Sequence, residues 1–255
     1  MRLNAVIEII PLKFSEDVNP GDKIAKIIVD CIASSKKNLQ NGDIIVIAQK
    51  IVSKAEGQII CLSSIKPSDY AVQLAHTHKK DPRLVELITR ESRSILRLSE
   101  GVIISETKHG FVCANAGIDQ SNVKNSQHNA LLLPEDPDKS ANEILNSLKE
   151  KTKKNVAVII VDSFGRPFRN GQTNVAIGIA GIEPIASYIG KEDMYGKKLR
   201  VTEIAVVDEL ASAAELIMGK TNRIPVVIIR GFNYTKGINP SISKLIRPKE
   251  KDLFR

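Results

Sequence analysis

Tryptophan is absent from this sequence and aromatic residues make up only 4% of it. The core must therefore be aliphatic, built from Ile, Val, Leu and Ala. The same shortage leaves no interleaved aromatic platform on which single-stranded nucleic acid could stack. Cysteine is scarce too: Cys31, Cys61 and Cys113 sit inside apolar runs without metal-ligand spacing, and they read as buried free thiols. The histidines form no HExxH pattern. His76 and His78 fall on a polar helical stretch, His109 and His128 on loops, and none is expected to bind zinc. No apolar run approaches the roughly 20 residues that cross a bilayer. Met1-Arg2-Leu3-Asn4 leads into a strand-like segment without a signal-peptide pattern, so a cytoplasmic protein with no membrane partner is expected. There is no internal repeat and no low-complexity linker.

The 255 residues suffice for one large domain or two modest lobes, with an ordinary balance of 42% apolar and 26% charged residues. Net charge is +8, spread along the chain; its densest cluster, Lys244–Lys251, lies in a basic tail over 241–255 that reads as a solvated terminus. Nucleic acid is not the expected partner. Polyanionic small substrates account for the charge equally well.

The pattern predicts a strand over 3–10, then a helix begun by Asp22 with Ile24, Ile27, Ile28, Cys31 and Ile32 on one face. A turn at Asn41-Gly42-Asp43 precedes a buried strand over 44–48. Helices follow over 67–79 and 82–92, the second opened by Asp81-Pro82. Strands at 101–106 and 110–114 lead to a long polar loop over 119–139, a length that favours function. Ser140-Ala-Asn-Glu143 reads as a capping box opening a helix. A buried strand over 155–161, a helix over 202–218 ended by Gly219, and a strand over 224–229 complete the expectation.

Two strings carry the chemistry. Asn115-Ala-Gly-Ile-Asp119-Gln-Ser-Asn122 and Val161-Asp162-Ser163-Phe-Gly-Arg166-Pro-Phe-Arg169 each place a carboxylate at the end of an apolar run, with small polar residues beyond. Taken singly, either aspartate reads as a turn residue bonding its own backbone. Together, and beside Ser163, Arg166 and Arg169, they read as hard oxygen ligands for a divalent cation near a phosphorylated substrate. Gln49, Lys50 and Lys54 follow the strand over 44–48; spacing alone leaves the lysines open between solvated and phosphate-binding roles. Gly219-Lys220-Thr221 is no P-loop, because Ala214 stands where the first glycine is required and the segment closes a helix instead of opening one.

The chain resembles the coenzyme F420-0:L-glutamate ligase family. The matching strings run collinearly from Asn41-Gly-Asp-Ile through Val52-Ser-Lys-Ala-Glu-Gly57, Asn115–Val123, Leu131-Leu-Leu-Pro134, Asp162–Arg169, Ala176–Gly181, Asp193-Met-Tyr-Gly196, Asp208-Glu-Leu-Ala211 and Ile224-Pro-Val226. The resemblance implies an α+β protein of mixed sheets in two lobes, one ligase domain over 1–255 without the flavin-binding domain of some relatives, in an intertwined homodimer. It implies GTP, L-glutamate and the deazaflavin coenzyme F420-0 as substrates, with Mg²⁺ or Mn²⁺, two ions per site, and K⁺. Metal-binding roles fall on Asp119, Asp162 and Ser163. Nucleotide-binding roles fall on Ser15, Gln49, Lys50, Lys54, Asn122, Met218, Gly219 and Lys220. Arg166 and Arg169 match the motif, and their charge suits anionic groups in catalysis.

Two departures stand out. Phe14-Ser15-Glu16 replaces a usual Gly-Leu-Pro, and Lys220 stands where relatives carry Glu or Gln after Met-Gly. Lys220 then either neutralises phosphate charge in place of a second ion or faces solvent while another oxygen completes the site. Two other functions stay open on sequence: a nucleotide-dependent amino-acid ligase with a different acceptor, and a non-catalytic nucleotide-binding relative.

Overall fold

The continuous Ile/Val runs, unbroken by polar alternation, are strands buried on both faces. The computed structural model of the chain describes residues 6–253; the part of the expected first strand over 3–5 lies outside them. In chain order come β1 (Glu8–Leu12), α1 (Ile24–Ser34), β2 (Ile44–Ala48), α2 (Gln49–Ala55), β3 (Ile59–Cys61), α3 (Asp69–His78) and α4 (Pro82–Glu91). Next are β4 (Ser92–Ser99), β5 (Val102–Thr107), β6 (Val112–Ala114), β7 (Asn129–Leu131) and α5 (Pro137–Thr152). The chain continues with β8 (Ala157–Arg166), β9 (Arg169–Ala180), β10 (Ala186–Ser187), β11 (Glu203–Ile204), α6 (Val206–Met218) and β12 (Val226–Arg230).

A five-stranded mixed sheet in the order β1-β12-β2-β8-β9 forms the centre, with β2 and β8 its parallel pair. α5 and α6 pack on β9, and Ile, Val, Leu and Ala dominate the buried residues, as the shortage of aromatics requires. A second apolar cluster, from Leu62 through Ala71, Val85, Ile88 and Ile103 to Leu132, gathers α3, α4, β5 and β7. The described residues thus form a mixed α and β protein with several sheets. No helix among them is long and apolar enough to cross a membrane.

Several boundaries differ from expectation for local reasons. Helix α1 starts at Ile24 with Lys23 as its N-cap; Asp22 instead closes a turn, accepting from the Asn19 N–H at 2.8 Å. Helix α5 starts at Pro137, capped by the Asp136 side chain, so the capping box at Ser140 is not formed. Ser140 lies inside the helix and donates to Glu56 Oε1 on the turn after α2. Helix α6 begins at Val206, since 203–204 pair with β10. The run ending at Val161 continues as strand through Asp162 to Arg166, because the pairing with β9 carries it past the apolar residues. Cys61 is exposed and Cys31 half-buried, which leaves only Cys113 as a buried thiol. The basic tail is docked at its start, while its charged residues Lys244, Arg247, Lys249 and Lys251 stay exposed as expected. Ser241 and Ile242 bind Asp138, Ile242 is buried, and Lys244 and Lys249 pair with Glu183 and Glu106.

The second cluster has an electrostatic staple. Glu86 on α4 accepts from the hydroxyl and N–H of Ser68, the N-cap of α3, and from Arg90. These bonds hold its carboxyl at about 2, against an ordinary 4.5. A depressed folded-state value contributes stability that is complete above the ordinary value and is lost as pH falls through it toward about 2. Glu86→Gln should therefore lower the melting temperature near pH 7 and flatten its decline between about pH 5 and 3. Parallel acid limbs in native and variant protein would contradict this.

Candidate functional site

The site forms where β2, β8 and two loops meet. Parallel pairing sets Ala48, the last residue of β2, beside Val161 on β8. One residue further along each chain come Gln49, which opens α2, and Asp162. The other carboxylate arrives by a tight left-handed turn: Asn115, Ala116 and Gly117 all have φ between 53° and 71°. A Cβ at Gly117 would sit 2.8 Å from the Leu133 side chain, so the turn requires glycine there. Beyond it, Asp119 exchanges backbone hydrogen bonds with Leu131, which anchors this carboxylate beside the second cluster.

Lys50 binds the Asp119 carboxylate at 2.7 Å and also donates to the carbonyl and hydroxyl of Ser121. Ser121 returns both its N–H and its hydroxyl to Asp119. Burial raises the Asp119 carboxyl, but the Lys50 and Ser121 hydrogen bonds outweigh it and leave the group below its ordinary value. Asp162 goes the other way. Burial pushes it up to about 6, the Asp119 charge adds to the rise, and the Ser163 N–H, Lys50 and Lys220 oppose it. The burial is shared by β6, which packs on β8. Its Cys113 thiol is pushed up to about 12, by burial first and then by the Asp162 charge.

Lys220, in the loop after α6, donates to the Ser163 hydroxyl, which itself donates to Asn174 Oδ1 on β9 at 2.6 Å. Asn122 Nδ2 donates to the Lys220 carbonyl at 3.3 Å. The structure thus brings Lys50, Asp119, Asn122, Asp162, Ser163 and Lys220 together. Gln49 is buried at their base, its Oε1 accepting from Ser53 while Nε2 has no protein partner.

Other expected residues lie further off. Lys54, one turn along α2, is 4.0 Å from Asp17. That places it against the 14–17 segment, whose Ser15 carbonyl accepts from Arg223. Met218 is buried in the core at the end of α6, which leaves its backbone and Gly219 as the available contacts. Arg166 and Arg169 flank the β8–β9 turn; Arg166 donates to the Asn170 carbonyl. Four strand residues at about 3.3 Å each separate Arg166 from Asp162 by roughly 13 Å. Within one chain the arginines are not brought to the carboxylates. Ser121, Asn174 and Glu215, which pairs with Lys220 at 2.9 Å, join the site beyond the expected residues. Ser121 was visible inside the first string, whereas Asn174 and Glu215 carry no local signal.

The donor set suits a hard cation: two carboxylates close enough that the charge of one raises the pKa of the other. No group of three or more His, Cys, Asp or Glu side chains placed to hold a metal ion occurs among the described residues. An ion held here would take two protein carboxylates and leave positions for substrate oxygens, the usual arrangement for Mg²⁺ with phosphates.

Comparison with known proteins gives one consistent picture. The family described as F420-0:Gamma-glutamyl ligase matches residues 14–231. The coenzyme F420:L-glutamate ligase of Methanothermobacter thermautotrophicus is 50% identical over 244 residues, covering 93% of this chain and 94% of the relative. The protein of that name from Methanocaldococcus jannaschii is 47% identical over 218 residues, 85% of this chain and 86% of the relative. That from Methanopyrus kandleri is 43% identical over 253 residues, 98% of each.

Proposed function

The chain belongs to the F420-0:gamma-glutamyl ligase family, and from that premise we propose that it joins L-glutamate to the deazaflavin coenzyme F420-0 at the expense of GTP. The observation that carries this reading is the meeting of Asp119 and Asp162 with Lys50, Asn122 and Lys220, drawn from separate segments to one place. Such a site offers charge and donors to a polyphosphate and contains no evident nucleophile of its own.

An amide cannot form directly from a carboxylate, because its oxygen is a poor leaving group. In the proposed sequence the acceptor's carboxylate oxygen attacks the γ-phosphorus of GTP, the bond to the β–γ bridging oxygen breaks, and GDP departs. The glutamate nitrogen then attacks the acyl carbon of the resulting acyl phosphate. Phosphate leaves and the nitrogen gives up its proton. Further rounds would use the γ-carboxyl of the glutamate already attached. Catalysis here is positioning and neutralisation of charge. Lys50 holds Asp119 ionised, its three donors engaged there and on Ser121, while Asn122 and Lys220 present donors to the incoming phosphates. A Mg²⁺ or Mn²⁺ ion on Asp119 and Asp162 would add Lewis-acid polarisation of a phosphoryl oxygen.

The test is stoichiometry: one GDP should appear for each glutamate incorporated, none when F420-0 is omitted, and no more than one per active site when glutamate alone is omitted. GDP release that ignores both co-substrates would contradict the coupling.

Lys54 bears on nucleotide affinity. Its side chain is only 12% exposed, and its nearest acidic partner, Asp17, is 4.0 Å away and itself 74% exposed. The ammonium is thus held in place with a weak internal partner. Lys54→Ala should raise the apparent KM for GTP by roughly 10- to 150-fold, the value of one charge-assisted contact. An unaltered nucleotide titration would make Lys54 a packing residue only.

A further inference from the structure

The hydroxyl of Ser163 is engaged on both sides. Its proton goes to Asn174 Oδ1, and one of its lone pairs accepts from Lys220 Nζ. Lys220 is directed there by its surroundings. Glu215 Oε1, on the last turns of α6, lies 2.9 Å from the ammonium, and Asn122 Nδ2 holds the Lys220 carbonyl. Gly219, at φ +55°, turns the chain out of the helix toward the site, and a Cβ there would press on Asn222 Nδ2 at 2.8 Å. An ammonium has three donors. Two are used, on Ser163 and Glu215, and the third remains for an incoming oxygen.

A divalent cation on Ser163 would share that oxygen with the Lys220 ammonium, setting like charges side by side on one hydroxyl. Asp119 and Asp162, by contrast, are two anionic groups whose mutual repulsion a single cation relieves. Resting on the ligase reading of the site, we propose that the Lys220 ammonium supplies the second positive charge at the nucleotide phosphates. This chain then holds one divalent ion per site, on Asp119 and Asp162, where its resemblance implied two. Glu215 keeps the ammonium paired and oriented until the phosphates arrive.

The count of bound ions decides it. The full-length protein is dialysed to equilibrium against Mn²⁺ with a saturating non-hydrolysable GTP analogue, and protein-bound nucleotide and Mn²⁺ are both measured. Electron paramagnetic resonance then reads coupling between neighbouring ions. Native protein should hold one Mn²⁺ per bound nucleotide without pair coupling, and Lys220→Glu should hold two with coupling. Lys220→Gln, which restores an oxygen without a charge, gives the same reading if the Glu variant does not fold. Two coupled ions on the native protein would overturn the proposal and leave the ligase reading intact. One ion on native and variants alike would also overturn it, since Lys220 would then not set the number. Absence of bound analogue would instead strike the nucleotide reading beneath it.

Discussion

Asp162→Asn and Asp119→Asn should each lower turnover by at least on the order of 10²–10³-fold, the loss typical of removing one electrostatic element from a reaction centre. Each keeps the shape of the side chain and removes a charge. Asp162→Asn carries a second, opposite expectation. The Asp162 carboxyl is raised to about 6 from an ordinary 3.8, burial being the main cause. Its ionised form therefore weakens the fold, by an amount that grows as pH rises from the ordinary value and is complete above about pH 6. Asparagine has no such penalty. The inactive variant should melt at or above the native temperature near pH 7, and this difference should close below about pH 4. Near-native ligation by either variant at ordinary metal concentration would remove the two-carboxylate site from the account.

Lys50→Ala should have the next largest effect, because one ammonium serves several partners. It binds Asp119 and both oxygens of Ser121, so its loss frees the loop bearing the first carboxylate. A loss in kcat/KM of roughly 10- to 150-fold is expected from one charged contact. The pH profile separates two ways of producing it. Lys50 is among the groups that hold the Asp119 carboxyl below its ordinary value against burial. Without it that value rises, and the acid limb of the rate profile should move to higher pH. Lys50→Arg, which keeps the charge, should move the limb back. A reduced rate with an unmoved limb would mean that Lys50 acts on substrate alone and does not position Asp119.

Much of this site was legible from residues, and the illegible part has a physical reason. Asp119, Asp162, Lys50 and Asn122 lie in strings whose local chemistry announces them, at strand ends and in turns. The five apolar residues of β2 could be read directly because they are buried on both faces. The distal half of β8 and the first half of β9 could not, although the largely buried second half of β9, over 175–180, carries the same apolar signal as β2. From Asp162 to Gln172 the ribbon is polar and largely exposed, and it is a strand only because each half pairs with the other. Short strands such as β3 and β7 exist through partners far along the chain, which periodicity does not report. The contacts of Lys220 are of the same kind: Asn122 lies 98 residues away and Ser163 lies 57 away. Ser140 shows the converse. Its capping-box spacing was present, but Asp136 with Pro137 at the first helical position is the stronger start, and it left Ser140 to bond Glu56.

Incubation of the protein with F420-0, L-glutamate, GTP and Mn²⁺, followed by mass spectrometry of the coenzyme, tests the central claim most directly. The account predicts that the coenzyme gains the mass of one or more glutamyl residues as GDP accumulates. A coenzyme of unchanged mass, from protein shown to be folded and to bind the nucleotide, would contradict it.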